Sequence, residues 1–373
     1  MKIGIITYHF ARNYGAILQC FALQSHLKML GQDVRVLNYE TERQERNNSL
    51  HHKRDNPLQN LAINIALLPF ERARKLKEGR FSGFEADLLL ESPRLRSLDE
   101  LSSYVESEGL DILISGSDQV FNPKIDDFDR AFLFPFQTTA VKASFAASLG
   151  SATAEELVPY VDDLRAFDVV CVRERTDAAV AESLLGKKPL VADDPVFLLG
   201  PNDWRSVAST KGSPKGGYVL GYFINKACLS QYVALTHAIA ERLGLPVKVI
   251  NVRFGKDSFK SEMVKDAGPA EFLGLVSGAS FVCTDSFHGT AFSLIFERPF
   301  VSFEPRVESS DYRKRDLLEK VGQKWRSLPI DISDVENKAV GIADNPDVSS
   351  SEGLSLIRAN QDNVLAAILG EER

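Results

Sequence analysis

The chain has 373 residues, more than one ordinary core accommodates and enough for two domains. Apolar residues make up 44% and charged residues 25%, the composition of a soluble globular protein; the net charge of −7 argues against a general nucleic-acid binder. An anionic ligand would therefore need a local cluster of arginines, and no run reaches the ~20 apolar residues of a membrane span.

Residues 2–7 read as a short apolar strand that leads into Asn13-Tyr14-Gly15. This start is too short and too strand-like for a signal peptide, so a cytoplasmic location is expected. A helix over 16–30 follows, with Leu18, Phe21, Ala22, Leu23, Leu27 and Leu30 at helical spacing. Gly31 ends it, and residues 33–39 form the next strand. This βαβ opening lacks the G-x-G-x-x-G fingerprint, so no dinucleotide, and no other cofactor, is expected. Residues 41–55, with the pair His51-His52, read as a polar surface loop, and residues 56–90 as an amphipathic helical stretch. A buried strand over 111–115 breaks at Gly116-Ser117-Asp118-Gln119. Residues 142–148 form another strand, 157–167 a helix, 169–172 a strand and 176–185 a helix; residues 190–191 then lead into Asp193-Asp194-Pro195.

Residues 209–217, rich in Gly, Ser, Pro and Lys, are the best linker candidate. The alternation then restarts, with a strand over 218–223, a helix over 230–243, a strand over 247–252 and a helix over 269–277. Residues 282–303 give a buried strand, a polar corner carrying Asp285, Ser286 and His288, a helix opening at Gly289, and a second strand. The final helix, 351–369, has no strand after it. The expected fold is α/β, with two Rossmann-like domains facing a cleft, the GT-B arrangement. Residues 1–208 would form the first domain, 209–350 the second, and 351–373 a helix crossing back to the first. The four cysteines, Cys20, Cys171, Cys228 and Cys283, lie far apart in apolar contexts without metal-ligand spacing and read as reduced core thiols; no metal site is expected.

The corner at 285–290 is the most chemical part of the chain. Open parallel sheets place ligands at the carboxyl ends of their strands, and a helix amino end attracts anions. One of only six histidines, His288, stands there. The helix dipole disfavours its imidazolium by about 0.3–1 kcal/mol, which suits acid/base work near neutral pH.

Four segments in chain order resemble the polysaccharide pyruvyl transferase family: Asn13-Tyr14-Gly15-Ala16-Ile17-Leu18-Gln19, the run from Ile114 to Asn122, the run from Val172 to Asp177 with 194–199, and the run from Thr284 to Thr290. Together they span roughly residues 3–330. The resemblance implies transfer of the carboxyvinyl unit of phosphoenolpyruvate to a sugar of a surface or capsular polysaccharide or its lipid-linked precursor. A pyruvate ketal forms and phosphate leaves. It also implies an acceptor side in the first domain and a donor side in the second. His288 falls on the family's histidine, and Arg173 on its Arg-Glu/Asp motif as a donor ligand, with Arg175 as helper. Many members carry an arginine where this chain has Ser286; either another cation, Arg298, Arg306 or Arg313 downstream, supplies that charge, or the chain takes a different donor or holds it differently.

Each assignment has a plainer alternative. His288 could cap its helix, and Arg173 could be a surface cation paired with Glu174 or Asp177. Asp118 suits an acceptor hydroxyl or proton transfer, but equally an N-cap or turn. Asp285 would orient His288 or cap the helix at Gly289. Asn13 and Gly15 would bring backbone N–H groups to an anion or sugar oxygen, or only pack strand on helix. Ser117, Ser286, Gly289 and Thr290 complete the candidate substrate-binding set. Competing functions are a GT-B glycosyltransferase using a nucleotide sugar and a non-catalytic sugar- or nucleotide-binding relative. Contact with a lipid-linked acceptor would be peripheral, at the inner face of the membrane, through the region 53–77.

Overall fold

The computed structural model describes residues 1–48, 57–210, 216–252, 254, 260–306 and 312–371. His51-His52 and residues 211–215 of the linker candidate lie outside the described residues. By contacts the chain divides into two units. The first comprises Met1–Asn64, Glu85–Leu199 and Leu356–Arg373; the second comprises Ile65–Phe84 and Gly200–Ser355. The boundary at 208/209 drawn from composition falls inside the second unit, which also takes in most of the helix Glu71–Leu88.

The first unit is built on four parallel strands, β1 (Lys2–Ile6), β2 (Asp33–Val36), β3 (Ile112–Ser115) and β4 (Val141–Ser144), in the order β2-β1-β3-β4. Two further strands, β5 (Cys171–Val172) and β6 (Leu190–Val191), pair in parallel. Single bridges from Ala143 to Val169 and from Ala147 to Val172 join that pair to the β4 edge. Both faces of the sheet are covered, so β3 has four buried residues in a row rather than an alternation. The helix Tyr14–Met29 lies with Leu23 and Leu27 against Ile3 and Ile5 of β1 and Ile112 and Ile114 of β3. Val364, Leu365 and Ile368 of the terminal helix Ser351–Leu369 join the same cluster.

The second unit holds a six-stranded parallel sheet. Its strands are β7 (Val219–Tyr222), β8 (Val247–Ile250), β9 (Met263–Val264), β10 (Phe281–Thr284), β11 (Phe300–Glu304) and β12 (Ser327–Pro329). Their order is β12-β11-β10-β7-β8-β9.

Strand order reverses between β1 and β3 in the first unit and between β7 and β10 in the second. Such switch points leave a crevice at the carboxyl ends of the strands, because the connecting helices depart to opposite faces. The loops after β1, β3, β7 and β10 are therefore where each sheet can hold a ligand. No described helix is long and apolar enough to cross a membrane. Cys20, Cys171 and Cys283 are buried and Cys228 is partly so, all with free thiols; burial pushes those of Cys171 and Cys283 up to about 12.

Candidate functional site

In the second unit, Ser286, two residues beyond β10, caps the helix Phe287–Ile295, accepting the Gly289 N–H at 3.4 Å. Its own N–H donates to Thr284 Oγ1 (3.0 Å), whose hydroxyl donates to the Tyr222 carbonyl (2.7 Å). The corner is thus stitched to β7 across the switch point. A Cβ on Gly289 would stand 2.2 Å from Thr284 Oγ1 and 2.9 Å from Thr284 Cβ, so only glycine lets the helix start this close to the strand. Thr290 is fully buried and bonded to the Ser286 carbonyl and Ser302 Oγ, both at 3.1 Å. It holds the helix to β11 and presents nothing to a ligand. His288, the second helical residue, is partly exposed and edge-on to Phe287.

Asp285 neither caps the helix nor has its carboxylate on His288. Its two oxygens accept the N–H groups of Ile224 and Asn225, at 2.7 and 2.8 Å. Burial raises its pKa, against the lowering effect of those two N–H groups and Lys314. The loop it holds lines an apolar cavity of about 280 Å³ beside Phe223, Leu229, Val249 and Phe254, with Lys226 and Asn251 as polar members. Buried Lys314 donates to the carbonyls of Asp285 and Phe303, each at 2.8 Å, and lies 3.2 Å from Glu304.

The cation at the position of Ser286 has a limited set of replacements. Arg298 precedes β11 and so lies at the amino edge of the sheet, away from the corner. Arg313 is in the helix Tyr312–Lys320. Arg306 follows the carboxyl end of β11, the strand next to β10, and is exposed.

In the first unit, the loops after β1, β3, β4 and β5 converge. The Ser117 N–H donates to Gln19 Oε1 (3.1 Å), Gln19 Nε2 donates to Thr7 Oγ1 (2.9 Å), and Thr7 donates to the Ser117 carbonyl (2.9 Å). Ser117 Oγ donates to the Ala146 carbonyl at 2.8 Å. Ser117 is fully buried, and these bonds make it a support for the turn. Gly116 has φ +120° and a Cβ there would meet the Phe145 carbonyl at 2.5 Å, which accounts for the glycine. Asp118, with φ +75°, stays partly exposed; its Oδ1 accepts only the next N–H, of Gln119, at 2.8 Å.

Arg173 is 6% exposed and turned inward. Its Nε donates to Glu174 (2.8 Å) and one terminal nitrogen to Asp194 (3.0 Å). Burial opposes its charge, but the two carboxylates more than offset this and raise its pKa. It is therefore a buried counter-ion rather than a surface arginine, and its partner Asp194 also caps the turn Pro195–Leu198 by accepting the Val196 N–H. Beside it, Glu174 shares a hydrogen bond with Asp177, and Asp177 accepts the Leu149 N–H at 2.8 Å. Burial and the second carboxylate push Asp177 up, while Arg173 chiefly holds Glu174 down against its own burial, so the pair keeps one proton. Arg175 opens the helix Arg175–Leu185 and is exposed. Asn13 caps the helix Tyr14–Met29 by accepting the Gly15 N–H at 2.9 Å, so that N–H is already engaged.

Sequence reasoning passed over Thr7 and Gln19, although Gln19 lies within a quoted motif, and over a polar cluster after β1. There His9, 1% exposed, lies 3.3 Å from Glu91, and Arg12 pairs with Glu85. Burial pushes Glu85 up to about 7 despite the lowering effects of Arg12 and His9. Lys77, expected on a membrane-facing surface, instead donates to the Asn251 carbonyl at 3.3 Å, and burial brings its pKa down to about 8. Among the described residues no group of His, Cys, Asp and Glu could hold a metal ion.

The profile of a family described as polysaccharide pyruvyl transferase matches residues 13–306. No curated protein sequence matches the chain. Among solved structures, the chain is similar to a UDP-GlcNAc 2-epimerase from Neisseria meningitidis bound to UDP-GlcNAc, at 9% identity and TM-score 0.57, covering 100% of both chains. It is also similar to a UDP-N-acetylglucosamine 2-epimerase from Rickettsia bellii, at 9% identity and TM-score 0.53, covering 99% of this chain and 96% of that one. These likenesses establish a GT-B-type α/β fold with parallel sheets.

Proposed function

We propose, from the premise that this chain belongs to the polysaccharide pyruvyl transferase family, that it transfers the carboxyvinyl group of phosphoenolpyruvate to two hydroxyls of a sugar. The observation that carries the reading is the corner at the β7/β10 switch point, where one partly exposed histidine stands in the first turn of the helix Phe287–Ile295. The chemistry needs an anion-favouring helix end for the donor and a proton-transfer group, and a histidine in the first turn of this helix supports both roles.

In this reading His288 delivers a proton to the donor's methylene carbon, making C2 cation-like. Two sugar oxygens bond to C2 and the C2–O bond to phosphate breaks. Two hydroxyl protons are lost, one balanced by the new methyl group and the other leaving on phosphate, so His288 can return to its starting state. Arg306 takes over the charge that other members place at the position of Ser286, gripping the donor's carboxylate or phosphate. Asp285 acts by fixing the loop after β7, and Arg173 by fixing Glu174 and Asp194. Asp118 is the carboxylate for an acceptor hydroxyl, and Arg175 is an exposed cation of the same unit. The acceptor is a sugar of a surface polysaccharide or of its lipid-linked precursor, met by peripheral contact with the inner face of the membrane.

A second reading, a glycosyltransferase using a nucleotide sugar, is favoured by one observation, the apolar cavity at the ends of β7 and β8, which suits a flat base. Full-length protein mixed with galactosides and either phosphoenolpyruvate or UDP-sugars separates the two. Phosphate release from phosphoenolpyruvate that requires the sugar supports the first reading. Consumption of the UDP-sugar with phosphoenolpyruvate untouched refutes it. Saturable sugar binding with neither donor consumed would instead indicate a non-catalytic relative.

A further inference from the structure

The apolar cavity at the carboxyl ends of β7 and β8 lies in the second unit and is not used by the proposed transfer chemistry. Phe223, Leu229, Val249, Val252, Phe254 and Met263 give it hydrocarbon walls. Its backbone polar groups are already engaged. The N–H groups of Ile224 and Asn225 donate to Asp285, and Asn225 Oδ1 accepts the Ala227 N–H at 3.0 Å. The Asn251 N–H donates to the Val264 carbonyl at 2.9 Å, and the Asn251 carbonyl accepts from Lys77. A flat base would need hydrogen bonds in the plane of its ring, whereas a hydrocarbon chain needs none. Lys226 is the lining cation; it is exposed and forms no ion pair among the described residues.

The segment packed beside this cavity is apolar on its outer side. Residues 65–84 belong to the second unit, where Phe70 packs on Phe254 at 5.4 Å. Lys77 holds the Asn251 carbonyl, and Arg80 donates to the Asp266 carbonyl at 2.7 Å and lies 3.3 Å from Glu271. Phe70, Arg74 and Phe81 are buried. Ile65, Leu68, Arg72 and Leu76 recur at intervals of three and four residues, which places them on one side of a helical segment. A solvent-facing side is ordinarily polar, yet Leu68, Ile65 and Leu76 are 62%, 56% and 45% exposed.

Charge decides what covers this surface. Arg72 shares the exposed side and forms no ion pair among the described residues. Lys75 is exposed as well, 3.1 Å from Glu71, and residues 57–70 carry no acidic side chain. A second copy of the chain packed here about a two-fold axis would set Arg72 against its own counterpart. An anionic lipid surface satisfies the apolar side chains and the cations together.

We infer that the cavity takes a hydrocarbon chain of an anionic membrane lipid, its phosphate against Lys226, while Ile65, Leu68 and Leu76 enter the bilayer surface. The inference rests on the membrane contact proposed above and gives it a place on the chain. Calorimetry of the full chain with decyl phosphate below its micelle concentration, and sedimentation with phosphatidylglycerol or phosphatidylcholine vesicles, test it without donor or sugar. Leu229→Trp, which fills the cavity, should weaken decyl phosphate binding by about tenfold, and Lys226→Ala by about fivefold with decanol binding unchanged. Leu68→Asp should weaken binding to phosphatidylglycerol vesicles by about tenfold and leave decyl phosphate binding as in the wild type. Phosphatidylcholine vesicles should bind less than phosphatidylglycerol vesicles by about tenfold. Lys226 and Leu68 are exposed, so their variants keep the test open should Leu229→Trp unfold. No decyl phosphate bound, its displacement by uridine diphosphate at equal concentration, or wild-type affinity in all three variants overturns the inference. So does a dimer that Leu68→Asp abolishes in a protein that ignores vesicles. A long-chain isoprenoid phosphate bound about tenfold more tightly than decyl phosphate identifies the chain as that of the acceptor's carrier; equal affinity identifies it as that of the surrounding bilayer. If lipid binds as expected but phosphoenolpyruvate is never consumed, the proposed reaction fails while the lipid site stands. If phosphate is released and no lipid binds, the reverse holds.

Discussion

At the scale of single residues, the structure separates side chains partly exposed at strand ends from those buried among carboxylates and backbone groups. His288 is partly exposed at a helix start, and removing a positioned acid/base group typically costs 10²–10⁴-fold in rate. His288→Ala is expected to lose phosphate release on about that scale while its circular dichroism and melting curve stay those of the wild type; a near-normal rate would remove His288 from the mechanism. Arg173, in contrast, is buried between Glu174 and Asp194. Arg173→Ala leaves two carboxylates uncompensated, so chemical denaturation should show a loss of about 3–5 kcal/mol. Loss confined to KM, with stability intact, would return Arg173 to donor binding. The Glu174–Asp177 pair gives a pH prediction. Asp177 is raised in the folded state, so between its unfolded and folded pKa values the native protein binds more protons than the unfolded one. Stability then falls as pH rises through that window, by at most about 1.4 kcal/mol per pH unit. Asp177→Asn imitates the protonated form, still accepting from Leu149, and should flatten that fall in denaturation curves at stepped pH. An unchanged slope would mean the pair does not share a proton.

At the scale of elements, the strand-to-helix corner depends on close approach. Gly289→Ala drives a methyl group into Thr284 and should cost about 1–3 kcal/mol in thermal unfolding, with a matching loss of activity from displacement of the first helical turn. A neutral outcome would show that the corner relaxes freely. This corner was legible from sequence, because a buried strand, a polar break and an apolar helix follow one another within about twenty residues. The helices over 230–243, 269–277 and 351–369 were legible for the same reason; they appear as Leu229–Leu243, Pro269–Gly278 and Ser351–Leu369. Strands of two or three residues, such as β9 and β12, cannot display a period of two, and they emerge only when a neighbouring strand pairs with them. The site was read less well because its bonds are long-range. Gln19 meets Ser117 across 98 positions and Asp285 meets Ile224 across 61, and no local pattern announces either. The pairing of Arg173 with Asp194 spans 21 positions, and no local pattern announces it either.

At the scale of the whole molecule, two parallel sheets each place a switch point under loops rich in polar side chains, in a chain of net charge −7. Such a chain does not attract a dianionic donor by its overall field, so capture falls to the helix end at His288 and to local cations such as Arg306. Arg306→Ala should raise the apparent KM for phosphoenolpyruvate more than tenfold with kcat less affected, since a charge-assisted hydrogen bond is worth about 1.5–3 kcal/mol. An unchanged KM would leave the position of Ser286 without a substitute. The most direct test of the account follows phosphoenolpyruvate and a galactoside with the intact protein by phosphorus and carbon NMR. The account predicts inorganic phosphate and a sugar-linked pyruvate ketal appearing in equal amounts, with neither formed by His288→Ala. Phosphoenolpyruvate that remains intact with every sugar offered, or phosphate released without a ketal, would contradict it.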